Sequence, residues 1–164
     1  MLNRLSVAIC ALAIATAIGL SRPDMMSANA AAPASNGVVK VKSLYGFDDT
    51  ISRLKADIAQ KGIMFFSAID QARLASDAGI KLPPSTLLFF GNPPLGIQFL
   101  TSNPDAGLDW PVRLLVTQDA EGQVWAVYTD FGWIARRHHI KDRDGAFKMA
   151  SKVIASITSS VALK

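Results

Sequence analysis

Residues 38–44, V-V-K-V-K-S-L, alternate between the two sides of an extended chain. Val39, Val41 and Ser43 fall on one side, Lys40 and Lys42 on the other. That period of two predicts a half-solvated strand. Lysines on its outer side suit a sheet edge, where charge discourages stray pairing. The period then changes. Phe47, Ile51, Leu54 and Ile58 recur at helical spacing and form one apolar stripe. Asp48 or Asp49 is placed to cap this helix and Gly62 to end it. Residues 63–69, I-M-F-F-S-A-I, read as a second strand, so the domain opens on a β-α-β unit. Asp70 caps a short helix over residues 71–78, closed by Gly79, and Leu82-Pro83-Pro84 breaks any continuation. Residues 86–90 are continuously apolar, the pattern of a central strand covered on both faces.

Gly91-Asn92-Pro93-Pro94 turns the chain, and residues 95–100 follow as a short helix burying Leu95, Phe99 and Leu100. Residues 102–107 read as a loop. Strands over 112–117 and 123–128 are joined through Asp119-Ala120-Glu121-Gly122, a hairpin with glycine where a positive φ is wanted. Residues 130–139 are a polar and aromatic connection. Asp142 or Asp144 caps a last helix running to about Val161, with Phe147, Ala150, Ile154, Ile157 and Val161 as its apolar face. The order is β-α-β-α-β-α-β-β-α. The hairpin forces an antiparallel pair, so the expected class is α+β: a mostly antiparallel sheet of about five strands, helices packed largely on one face, in a single domain over residues 38–164.

The amino-terminal residues follow a different rule. Met1-Leu2-Asn3-Arg4 is a short positive region, residues 5–20 are apolar and uncharged, and Ser27-Ala28-Asn29-Ala30 offers small residues to a signal peptidase. This predicts a secretory signal peptide over residues 1–30, cut after Ala30, with 31–37 as a flexible leader lacking packing content. The expected location is the periplasm or the medium, without a stable membrane anchor after cleavage. Cys10 is the sole cysteine and lies in the apolar run, so the mature chain would carry neither disulfides nor thiolate chemistry. The 17 basic and 13 acidic residues fall to 15 and 12 once Arg4, Arg22 and Asp24 are removed, a change from +4 to +3. With no basic run longer than Arg136-Arg137, a nucleic-acid footprint is not expected.

Three strings resemble the signature of the DUF302 family, whose fold is called TT1751-like. They are the string from Leu82-Pro83-Pro84 to Phe90-Gly91-Asn92-Pro93, the string Leu108-Asp109-Trp110-Pro111-Val112-Arg113-Leu114-Leu115-Val116, and residues 128–140. The resemblance as a whole covers roughly residues 39–163. The resemblance implies a small α+β domain and, since the family is one of unknown function, no activity. The family often has His where this chain has Gln71, and Pro where it has Phe131. The first departure argues against a catalytic or metal role at that position; the second changes loop shape.

Candidate chemistry is sparse. His138 and His139 are the only histidines, and neighbours in an extended segment point to opposite sides. With Asp130 or Asp142 they make at most a partial metal site, so no metal and no cofactor are expected. No G-x-S-x-G supports a nucleophile. Arg136-Arg137-His138-His139 is the densest positive patch, to be answered by Asp130, Asp142 and Asp144 or to grip an anion. In the Gly91–Pro94 turn two prolines remove donors, which disfavours a phosphate cradle, and Asn92 is expected to bond the local backbone.

Trp110, Trp125, Phe131 and Trp133 cluster near the hairpin and the loop after it, and both sheet faces look too apolar to stand bare. The expectation is a non-enzymatic exported module, with no catalytic residue. It would bind a small apolar or anionic ligand, or a partner, through Asn92, Trp125, Tyr128, Arg137, His138 and His139. Self-association would use the sheet face. The alternative is a periplasmic hydrolase or isomerase using His138 or His139 with Asp130 and Tyr128.

Overall fold

The structure, a computed structural model, describes residues 34–162. The expected signal peptide and its cleavage after Ala30 lie outside the described residues. Strands β1 (Val38–Lys42), β2 (Met64–Asp70), β3 (Ser85–Gly91), β4 (Val112–Gln118) and β5 (Val124–Thr129) form one sheet in the order β1-β5-β4-β3-β2. Every neighbouring pair is antiparallel. Helices α1 (Phe47–Gln60), α2 (Gln71–Asp77), α3 (Pro93–Ser102), α4 (Phe131–Arg137) and α5 (Asp144–Ser159) connect them. The class is α+β, as the element pattern predicted. β1 and β2 end at opposite edges, because the chain between them crosses over the sheet.

Register explains the core. Val39, Val41, Leu88, Phe90, Leu114, Val116, Val124 and Ala126 share one face and are buried. On that face α1 packs over β2 and β4 and against α5, while α3 and α4 also meet α5. Leu54 and Ile58 of α1 and Phe147, Ala150, Ile154 and Ile157 of α5 complete the core. The opposite face is different. Lys40, Val127, Leu115, Leu87 and Ile69 form one row across all five strands, and none of them is buried. The apolar run of β3 is therefore not covered by helices on both faces. Leu87 and Phe89 are only half-buried, although α2 contacts β3, and β4 rather than β3 is the central strand.

Several local expectations change. α1 starts at Phe47 without a side-chain cap, and Asp48 and Asp49 lie in its first turn beside the positive end of the helix. α5 likewise lacks a side-chain cap. Asp70 does cap α2, accepting from the Arg73 N–H at 2.9 Å. The loop after α3 is a 3-10 helix, Pro104–Asp109, started by Asn103, whose side chain accepts from the Asp105 N–H. Residues 130–139 contain α4, capped by Asp130, which accepts from the Trp133 N–H at 2.7 Å. The leader ends before residue 37. Gly37 is buried at φ 77° under the Trp133 ring, and its carbonyl accepts from the Asp130 N–H at 2.8 Å. Any side chain at Gly37 would overlap that ring, so this glycine admits both the turn and the contact.

Candidate functional site

The end of β3 leads straight into α3. Gly91 is buried, Asn92 is exposed, and Pro93 and Pro94 occupy the first helical positions, where no N–H is needed. The Asn92 carbonyl accepts from Leu95 and Gly96. Its side chain makes no capping bond, contrary to the expected local role. One turn on, Gly96 is buried against the Trp110 indole, and a Cβ there would overlap the ring. Trp110 also lies over Gly91, where a Cβ would stand 3.1 Å from the indole Nε1, and meets Phe66 edge to face at 6.1 Å. Beside these close approaches lies a cavity of ≈550 Å³ between β3, α3 and α5. Phe90, Phe99 and Phe131 form its floor, and Phe99 stacks on Phe147 at 4.1 Å. Trp110, Leu95 and Val153 wall it, and Asn92, Lys61 and Lys152 stand around its mouth. Lys61 is held by Asp57 at 2.6 Å, whereas Lys152 has no acidic partner among the described residues.

The residue before Trp110 anchors that wall. Asp109 is buried where β4 begins, its side chain 2 % exposed. Its carboxylate receives Arg113 Nη2 at 2.5 Å, Arg137 Nη1 at 3.1 and 3.3 Å, and His138 Nε2 at 2.6 Å. A carboxylate only accepts, so the His138 Nε2 carries the hydrogen. The Asn103 side chain donates to the His138 carbonyl at 2.9 Å. Both oxygens are thus fully engaged, which is how a charge survives burial. The cluster ties the 3-10 helix, β4 and α4 together and fixes the backbone carrying Trp110.

The sequence-predicted residues are spread over the molecule. Asn92 borders the cavity. Trp125 lies on the opposite sheet face, under Lys40 at 4.7 Å, and its Nε1–H donates to Asp119 at 2.7 Å. That bond holds the Asp119 carboxyl below its ordinary range. Tyr128 lines the helix-covered face, and burial followed by the nearby Asp130 charge pushes its phenol upward. Arg137 and His138 are brought together, but on Asp109 rather than on Asp130, Asp142 or Asp144. Arg137 also stacks on Trp133 at 5.5 Å. His139, at φ 54°, is exposed beside a concavity of ≈700 Å³ between α4 and α5, with Arg136, Lys141, Asp144 and Lys148 around it. Asp142 accepts from Ser102 and Arg143, and the Ser102 bond holds its carboxyl low. Gln71, at the position that departs from the family pattern, accepts from the buried Ser85 hydroxyl at 2.7 Å.

Sequence reasoning missed Asp109, Gly96 and Lys152. An acid set between Leu108 and Trp110, with cations to answer it elsewhere, was the available signal for the first. A glycine inside a helix, costing about 1 kcal/mol against alanine, was the signal for the second. Nothing marked Lys152 among the other solvent-facing positions of α5. Among the described residues, no group of three or more His, Cys, Asp or Glu is placed to hold a metal.

The family model "Domain of unknown function DUF302" matches residues 39–159. The crystal structure of an uncharacterized conserved DUF302 protein from Bacillus stearothermophilus superposes with a TM-score of 0.70 at 18% identity, covering 76% of this chain and 98% of that one. The chain is also 36% identical over 105 residues to fluoride-specific ion channel FluC 1 of Brucella suis, covering 64% of this chain and 41% of that protein. FluC 2 of Brucella melitensis is 36% identical over the same length, 39% of its own. The chain thus spans about two fifths of the curated relatives it matches.

Proposed function

The chain belongs to the DUF302 family of domains of unknown function, and on that premise we propose that it is an exported, non-catalytic module that holds a small apolar ligand bearing an anionic group. The observation that carries this reading is the ≈550 Å³ cavity, which falls within the range of about 300–1,000 Å³ typical of small-molecule sites. Its floor is three phenylalanines continuous with the core, so an apolar body placed there is taken out of water. Lys152 at the mouth, lacking an acidic partner among the described residues, suits a carboxylate or similar head. The larger concavity at His139 mixes Arg136, Lys141 and Lys148 with Asp144 and has the smaller apolar lining.

The residues of the hydrolytic alternative support binding over chemistry. His138 is committed to Asp109, Asp130 caps α4, and the raised Tyr128 phenol is a poorer proton donor near neutrality. Export rests on the amino-terminal sequence. The test is native mass spectrometry of the protein recovered from its own periplasm or medium. The expected spectrum shows an adduct of a few hundred daltons that a medium-chain carboxylate displaces. A bare chain that also takes up no such carboxylate would contradict the proposal.

A second reading follows from the channel relatives. At most 35 of the 105 matched residues fall outside the described segment of 129, so at least 70 belong to the α+β domain. No helix among the described residues is long and apolar enough to cross a membrane. This supports a water-facing module that works beside a membrane ion channel. Deleting the gene would then sensitise cells to fluoride, and unchanged fluoride tolerance would count against it.

A further inference from the structure

β2 is a bare edge. It pairs only with β3, and among the described residues nothing pairs with its other side. Six of its seven residues are exposed, the exception being Phe65. The other edge strand, β1, points Lys40 and Lys42 outward, while β2 carries no cation and only the terminal Asp70. A strand edge left open and unguarded is a template for another strand. The apolar surface is concentrated there too. Among the described residues, six of the ten exposed large apolar side chains lie between residues 64 and 82: Met64, Phe66, Ile69, Leu74, Ile80 and Leu82.

We propose that β2 pairs with β2 of a second copy of this chain, antiparallel about a two-fold axis, joining the two sheets into one of ten strands. The charge pattern selects the occupant. Residues 64–82 contain Asp70, Arg73, Asp77 and Lys81, a net charge of zero within a chain of +4. Two copies of the whole surface repel; two copies of this strip do not. Antiparallel pairing of one strand with itself is two-fold by construction, so each copy supplies the same donors and acceptors to the other. A standard interface takes about 800 Å² from each partner. The residue between the two registers of β2, Phe66, breaks the ladder with β3 and turns its ring to Trp110, so the regular pairing segment is residues 67–70. The pairing is independent of what fills the cavity.

Light scattering on the purified full chain, as processed by the cell, tests this. The expected mass is twice that of the protomer, and Ile69→Lys halves it. Amide exchange gives a readout that does not depend on a variant folding. Exchange at residues 67–70 should slow by about tenfold on raising protein concentration, while β1 amides do not change. A parent that stays monomeric would overturn the proposal. So would a dimer that Ile69→Lys leaves intact but Leu115→Lys dissociates, which would place the contact on the open sheet face. Protection at residues 67–70 that ignores concentration would assign the edge to another segment of the same chain and overturn it equally.

Discussion

Nε2 of His138 lies 2.6 Å from Oδ2 of Asp109, and both side chains are buried. The carboxylate is the shared acceptor for that imidazole and for the guanidinium groups of Arg113 and Arg137. Removing it leaves the buried His138 Nε2–H without its acceptor, so Asp109→Ala is expected to cost about 1–3 kcal/mol, the usual range for a buried donor left unsatisfied. Arg113 and Arg137 are each more than two-fifths exposed and can turn to water. Arg113→Ala should therefore cost only about 1 kcal/mol. Urea unfolding of the two variants against the parent checks the ratio. Equal losses would remove Asp109 from its organising place.

Gly96 separates two opposing effects. In a helix, Gly→Ala ordinarily gains about 1 kcal/mol. Here the new methyl overlaps the Trp110 indole, and such overpacking costs about 1–3 kcal/mol. The expected net is a loss of about 1 kcal/mol, with altered tryptophan emission as the ring leaves the cavity wall. Thermal unfolding followed by fluorescence reads both.

Asp119 provides a pH test. Its folded carboxyl is held below the ordinary 3.8 chiefly by the Trp125 Nε1–H. A depressed carboxyl contributes stability above its unfolded value and loses it as pH falls through the folded one. Asp119→Asn should thus be less stable than the parent near neutrality, and the gap should close below about pH 3.8. A gap unchanged across that window would separate the indole from the titration. The group is only half-buried, so the effect is small and best read as a difference in urea midpoints.

Elements with a strong period were legible in the chain. The alternation around Val39 and Val41, the stripe of Leu54 and Ile58, the face of Phe147, Ala150, Ile154 and Ile157, and the Gly122 hairpin all stand where the pattern put them. α4 escaped because seven residues carrying Gly132 and an Arg pair hold less than two turns of periodic signal. The apolar run of β3 suggested two covered faces because composition cannot distinguish a buried face from a half-buried one. The site was less legible. Asp109 and His138 are 29 positions apart, and a contact at that separation leaves no local spacing to read. Asn92 and Trp125 seemed to belong to one surface, yet the sheet divides them.

Lys152 gives the proposed ligand its polarity. Lys152→Glu should weaken binding of a medium-chain carboxylate about five-fold, close to 1 kcal/mol, and leave the matching alcohol unaffected. Calorimetric titration of both ligands into both proteins measures the difference. Equal effects on acid and alcohol would mean the lysine does not read charge.

The most direct measurement is an amide NMR titration of the protein with decanoate. Saturable shifts are predicted at Gly91, Leu95, Gly96 and Val153, around the cavity mouth beside Asn92. Shifts confined to Leu87, Leu115 and Trp125, or none that saturate, would contradict a ligand held between α3 and α5.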